Sequence, residues 1–262
     1  MFGLDWRIPY YRECIFYLLT CGNWREVIQA RRGRRAFNRF ELRSGTIIEF
    51  TGEPPWIIFK DVWYYKAYTR LYHSSVAPEV VVDIGANIGN FSLFAATKWP
   101  QSEIWAYEPA PVNFSQLSRN VELNTQCRIK PVNAAVSGKA GKAKLLIKQE
   151  SGAHSLYSVD SDVVEGSLEL PSVTLEDVVT ATGGKRIDFL KVDCEGAEYD
   201  IFAGREEILR TKVKYIAMEY HEQFGHHVGE LGEILRTTNF NIQVHPVPKW
   251  KAGLLFAWNT HL

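Results

Sequence analysis

Four short stretches carry residue types that can hold a ligand or move a proton. The first is Asp83-Ile84-Gly85-Ala86-Asn87-Ile88-Gly89-Asn90, directly after the β-branched run Val80-Val81-Val82. Glycines at such a place permit a tight strand-to-helix turn and close backbone approach to a ligand. The spacing is G-x-x-x-G, not G-x-G-x-x-G, and Asn87 stands where a pyrophosphate would need bare backbone. Asp83, two positions ahead of Gly85, would repel a diphosphate but can meet a cationic amino-acid end through hydrogen bonds or water. The second stretch is Glu108-Pro109, with Glu108 placed 25 residues after Asp83 at the end of the next strand. An ionised carboxylate there is an acceptor only and can take both hydroxyls of a ribose. Asn133-Ala134 closes the third strand, where an adenine edge would lie. Gly85, Ala86, Asn87, Gly89, Asn90, Glu108, Pro109, Asn133 and Ala134 therefore join Asp83 as the candidate cofactor contacts.

The other two stretches are Lys191-Val192-Asp193-Cys194-Glu195-Gly196 and Glu219-Tyr220-His221. Both end strands, so Asp193, Glu195, Glu219 and His221 are expected to converge, with Asp193 also within reach of the cofactor. His221 is the candidate general base because its ordinary pKa lies near neutrality. A buried Asp193 or Glu195 with a raised pKa competes with it. Asp193 and Glu219 also allow a divalent cation, although none is expected. Lys191 reads equally as a structural ion-pair partner of these acids and as a catalytic group. Cys194, between two acids, should be a poor nucleophile. His154, on the polar loop 151–155, either lines a substrate lid or is solvated. His226 and His227 read as exposed. The aromatic stripe Trp63, Tyr64, Tyr65, Tyr68 and Tyr72 reads as core before it reads as a stacking surface.

Positioning these residues requires alternating strands and helices. From Glu79 onward, strands are predicted at 80–84, 103–107, 128–136, 187–192 and 214–219. Helices are predicted at 89–99, stopped by Pro100, and at 109–124, 197–209 and 230–237. A further helix begins at Thr174, which has capping-box spacing with Asp177. Segment 142–148 reads as part of an inserted hairpin, and 240–245 with 253–258 as a terminal antiparallel hairpin. This order implies a mostly parallel sheet with helices on both faces and ligands at the carboxyl ends of its strands. Residues 1–75 read as a separate extension or cap, and 76–262 as the ligand-binding domain. In the extension, Tyr11, Ile15, Leu18 and Leu19 predict one amphipathic helix and Trp24, Val27 and Ile28 a second. A strand pair turns at Ser44-Gly45, and a helix is predicted over 63–72.

The chain has 262 residues, 46% of them hydrophobic, which provides for a sizeable core. Lys+Arg and Asp+Glu are both 30, so no overall charge recruits nucleic acid. The Arg31-Arg32-Gly33-Arg34-Arg35 run is the local exception. Four cysteines without C-x-x-C spacing read as reduced thiols in a cytoplasmic protein. No signal peptide or membrane span is evident. The apolar first helix and the arginine run admit peripheral contact with an anionic membrane, as an alternative to a cap over the site.

Six ordered blocks between Glu79 and Glu222 resemble the FkbM family of S-adenosylmethionine-dependent methyltransferases. They are VVVDIGANIGNFSLFAA, AYEPAPVNFSQLSRNVELN, VNAAVSG, VTLEDVV, IDFLKVDCEGAEYDIFAG and YIAMEYH. The resemblance implies a class I, Rossmann-like α/β fold with seven mostly parallel strands and an antiparallel last strand. It implies S-adenosylmethionine as cofactor and O-methylation of a hydroxyl on a sugar, glycolipid or natural product. Two rivals are weighed against it. An NAD-dependent oxidoreductase would have the missing middle glycine, and a non-catalytic module would keep the fold without the chemistry. Amino-group methylation of nucleic acid commonly brings Asn-Pro-Pro-aromatic where this chain reads Asp193-Cys194-Glu195-Gly196.

Overall fold

The structure is a computed structural model that describes residues 10–148, 164–222 and 225–262. The chain opens with α1 (Tyr10–Thr20), α2 (Trp24–Arg31) and an antiparallel pair, β1 (Arg39–Glu41) with β2 (Ile47–Glu49). A one-turn helix, α3 (Trp56–Phe59), runs on into a π-helical turn at Lys60–Tyr64. Next come β3 (Val80–Ile84), α4 (Asn90–Lys98), β4 (Glu103–Tyr107), α5 (Pro111–Leu123) and β5 (Ile129–Val132). A small sheet of β6 (Ala135–Val136), β7 (Gly141–Lys148) and β8 (Val164–Val173) interrupts the alternation. It resumes with α6 (Leu175–Ala181), β9 (Phe189–Val192), α7 (Glu198–Phe202), α8 (Glu206–Lys212), β10 (Tyr215–His221) and α9 (Val228–Thr237). The hairpin β11 (Phe240–Val247) and β12 (Ala252–Asn259) follows.

Seven strands form the main sheet in the order β11-β12-β10-β9-β3-β4-β5. Only β12 runs against its neighbours, and it sits between β10 and β11. This is the mostly parallel sheet with an antiparallel last strand expected from the sequence. Side chains alternate between its faces. Val80, Val82, Leu190, Val192, Ile216 and Met218 bury one face against α6 to α9. Val81, Phe189, Tyr215, Ala217 and Phe256 bury the other, in a cluster that also holds Phe16, Tyr17, Phe40 and Phe59 of the extension. Asp83, Lys191, Asp193, Glu219 and His221 share the parity of this second face. The extension therefore covers the side of the sheet that carries the candidate chemistry.

Four local expectations are corrected. The segment 63–72 is not a helix: beyond Tyr64 its rings turn inward separately, Tyr68 onto Phe91 and Tyr72 onto Trp99, Phe189 and Tyr215. Ring burial against the sheet outweighs helical periodicity there. In α1, the stripe Tyr11, Ile15, Leu18 and Leu19 is exposed, and Glu13, Phe16 and Tyr17 are buried. Phe16 and Tyr17 pack on Phe59, while Lys60 at 2.7 Å and Arg31 at 3.3 Å neutralise Glu13. The predicted 128–136 strand divides at Asn133-Ala134, where the chain leaves the main sheet for the small one. The 197–209 helix divides at Gly204, whose φ of +71° ends α7. The Thr174 capping box forms as its spacing predicts, with Asp177 N–H donating to the threonine hydroxyl.

Candidate active site

The loop between β3 and α4 is shaped by three positive φ angles, 75° at Gly85, 52° at Asn87 and 91° at Gly89. A Cβ on Gly85 would lie 1.8 Å from the Asp193 carbonyl oxygen, so the glycine lets two strand ends close on each other. Asp83 is fully buried at the end of β3. Its Oδ2 accepts a hydrogen bond from Ser92 and its Oδ1 lies 3.1 Å from Lys191 Nζ. Lys191 also donates to the Gly85 carbonyl at 2.7 Å and pairs with Asp193 at 3.6 Å. Asp83, which the sequence reading gave to the cationic end of a cofactor, is paired in the structure with Lys191. Burial opposes the Lys191 charge, but Asp83 and Asp193 outweigh it and raise the pKa.

Glu108 is buried at the end of β4 and uses its oxygens to organise the loop. Oε2 accepts from Asn87 N–H and Oε1 from Ala110 N–H, each at 2.8 Å. Burial pushes its carboxyl up to about 7 against these two donors. Each oxygen retains acceptor capacity for a diol. Asn133 donates to the carbonyls of Glu108 and Pro109 and so holds this turn from outside. Ala86 and Ala134 are buried in the same region. Asn90 opens α4 with the residue 3% exposed, and among the described residues neither of its amide atoms has a hydrogen-bond partner. Buried amides are normally paired. Asn90 therefore keeps a donor and an acceptor in hand, matching a ligand end that is both anionic and cationic.

Beyond β9 and β10 the other candidates converge. His221 Nε2 lies 3.5 Å from Glu195 and 3.7 Å from Glu219, while Nδ1 is 3.1 Å from Glu198. Burial works against the imidazolium, but the Glu198 hydrogen bond and the three carboxylates raise the His221 pKa to about 10. The premise of an ordinary, near-neutral His221 is corrected: its surroundings push its pKa up. Burial pushes Glu219 up to about 8, helped by Asp193, and also raises Glu195. Asp193 moves down, because Lys191, His221 and a 2.8 Å hydrogen bond from the Tyr68 hydroxyl outweigh its burial. Glu195 has φ 54°, a left-handed conformation that costs a non-glycine residue energy and is concentrated at functional sites. Glu195 and Asp193 are the more accessible members, with side chains 30% and 26% exposed. Burial and then Glu198 and Asp193 push the Cys194 thiol well up, in line with an inert sulfur.

Two members escaped the sequence. Glu198 is wholly buried and fixes His221 through its Nδ1; its only signal in the sequence is a position three residues after Glu195. Tyr68 comes from the extension, 125 residues before the aspartate it binds. His226 stacks on Tyr199 with ring centroids 4.4 Å apart and bonds Glu230. The His154 loop lies outside the described residues. Among the described residues, no group of three or more His, Cys, Asp or Glu side chains is arranged to hold a metal ion.

The loop and every member of the cluster except Tyr68 lie in the segment that the family model of the methyltransferase FkbM domain matches, residues 83–241. This chain belongs to the FkbM methyltransferase family. Relatives of this chain include the methyltransferase sdnD of Sordaria araneosa, 33% identical over 176 residues that span 55% of this chain and 67% of that one. The 31-O-demethyl-FK506 methyltransferase FkbM of Streptomyces tacrolimicus is 26% identical over 220 residues, 73% of this chain and 84% of its own. Among solved structures, the FkbM methyltransferase from Methylobacillus flagellatus aligns with TM-score 0.48 and 18% identity over 75% of this chain. The match spans half of that protein's length. The chain is accordingly a methyltransferase by family.

Proposed function

We propose that the protein transfers the methyl group of S-adenosylmethionine to a hydroxyl of a sugar, glycolipid or natural-product scaffold. The observation that carries the cofactor assignment is the buried, unpartnered amide of Asn90 beside the glycine loop. Three relatives bear names that specify oxygen or sugar methylation: the Streptomyces tacrolimicus enzyme, the hexuronic acid methyltransferase AglP of Haloferax volcanii and the 2-O-methyltransferase NoeI of Sinorhizobium fredii. They support the acceptor class without naming this chain's acceptor.

When bound, S-adenosylmethionine supplies an electrophilic methyl on a sulfonium, whose departure as a neutral sulfide needs little assistance. The chain's own residues then have three tasks. Asn90 and the loop from Gly85 to Gly89 hold the amino-acid end, while Glu108 accepts the ribose hydroxyls. Lys191, tied to Asp83 and Gly85, keeps the loop and the Asp193 strand end in one geometry. At the acceptor, the hydroxyl proton passes to Glu195, whose raised pKa brings its proton affinity toward that of a working base. His221, held charged by Glu198, lies across from Glu195 and stabilises the oxygen as it becomes negative.

Calorimetry with S-adenosylmethionine and with its demethylated product tests the first half; absence of heat with both ligands would sink it. Labelled-methyl transfer into fractionated cell extract, with the product identified and compared with a Glu195→Gln variant, tests the second. The variant should bind cofactor normally and lose roughly 100-fold or more in transfer rate, as expected for removal of a general base.

A further inference from the structure

The first helix carries an unexpected surface. Tyr11, Ile15 and Leu18 lie along one line of α1, at helical i, i+4 and i+7 positions, and Leu19 adjoins Ile15. They are 60%, 52%, 40% and 69% exposed, respectively. The buried residues Glu13, Phe16 and Tyr17 lie on the other side of the helix, so the apolar line points directly away from the protein. Isolated exposed apolar residues are ordinary, but a contiguous line of four on one short helix is not.

The charge around this line is one-sided. Residues 10–43 contain eight arginines, no lysine and three glutamates, in a chain whose net charge is zero. All eight arginines are exposed. Arg12 is next to Tyr11 on α1. Arg32 caps one end of the helix, its guanidinium over the Tyr10 ring at 5.3 Å. Arg43 closes the other, donating to the Leu18 carbonyl at 3.0 Å. The glutamates are already engaged, Glu13 with Arg31 and Lys60, Glu26 with Arg35 and Glu41 with Arg39. Arg12, Arg25, Arg34 and Arg43 carry no ion pair among the described residues.

We propose that α1 lies on an anionic lipid surface, with Tyr11, Ile15, Leu18 and Leu19 in the headgroup–acyl boundary and the surrounding arginines on lipid phosphates. An amphipathic helix with apolar residues on one side and basic residues at its flanks binds membranes in this way, and the cations are attracted to anionic leaflets. A second copy of the chain is the weaker fit, because a self-contact would oppose two arginine-rich rims. Among the described residues no helix is long and apolar enough to cross a membrane, so the contact is peripheral. The helix packs through Phe16 on Phe59 and Tyr64, in the segment that leads to Tyr68 at Asp193. The proposal is independent of the reaction assigned above.

Flotation of the full chain with vesicles tests it, using phosphatidylcholine alone and phosphatidylcholine mixed with phosphatidylglycerol. Binding should be at least tenfold greater to the anionic vesicles and should fall steeply with added salt. The double variant I15E/L19E and the charge variant R12E/R43E should each lose about tenfold in binding. Both pairs are surface residues, and unchanged circular dichroism and melting would show that the fold is kept. Equal binding to neutral and anionic vesicles, no binding to either, or wild-type binding by I15E/L19E would overturn the proposal. So would a concentration-dependent dimer in sedimentation velocity that I15E/L19E abolishes while vesicle binding is absent.

Discussion

At the residue scale, the site is governed by two cations, Lys191 and His221, among several carboxylates. If Glu195 takes the proton and His221 must stay charged, the rate depends on pH in two opposite ways. Activity should rise as Glu195, whose pKa is raised chiefly by burial, loses its proton. It should fall again as His221 discharges toward about 10. A kcat/KM profile measured from pH 6 to 10.5 is expected to be bell-shaped, and a profile that only rises would return His221 to the role of base. Asn90 offers a second separation. Replacing an unpartnered buried amide removes a desolvation penalty, so Asn90→Ala should leave the melting temperature equal to or above wild type. The same change should weaken S-adenosylmethionine binding by about tenfold in calorimetry. Loss of folding together with binding would make Asn90 a structural residue.

At the element scale, the strand ends matter more than the helices. The parallel register places Asp83 beside Lys191 and carries Glu219 and His221 past the end of β9. Gly85 then has to turn where the Asp193 backbone already stands. Gly85→Ala combines that collision with a φ of +75° and should destabilise the fold by roughly 2–4 kcal/mol, read by urea unfolding. The splitting of the predicted 128–136 strand has a similar logic. Asn133 bonds the turn after β4, so the chain cannot stay in the main sheet and hold Glu108 in place together.

At the scale of the whole molecule, the extension and the sheet share one hydrophobic cluster. Phe59 is fully buried and stacks on Phe40 with ring centroids 3.9 Å apart. Phe59→Ala should cost about 3–5 kcal/mol and lower one common unfolding transition, rather than releasing the extension alone. Stability should also depend on pH. The His221 pKa is raised above its unfolded value of 6.5, so its contribution is full below that pH and is lost as pH rises toward about 10. Glu219, raised from 4.5 to about 8, holds its proton longer in the folded state, which also lowers stability across that interval as pH rises. The melting temperature should therefore decline from pH 6 to 10, and His221→Gln should show a shallower decline above pH 8.

Much of this was legible in the order of residues. Buried parallel strands appear as β-branched runs such as Val80-Val81-Val82, because both faces of such a strand are covered. Strand ends are where ligands of these sheets bind, so Asp83, Glu108, Asp193 and His221 could be picked out before any coordinates were known. Tertiary structure decided what those residues are bonded to. Asp83 is committed to Lys191, and the His221 pKa is raised because Glu198, Glu195 and Glu219 surround it, which depends on distance rather than spacing along the chain. It also decided which side of α1 faces inward. Apolar periodicity identifies a helix and its stripe, but the Phe59 and Tyr64 rings and the Lys60 charge supply a better partner for Phe16, Tyr17 and Glu13 than for Ile15 and Leu19. Local pattern determines which elements form, and competition among their faces for burial determines which residues remain at the surface.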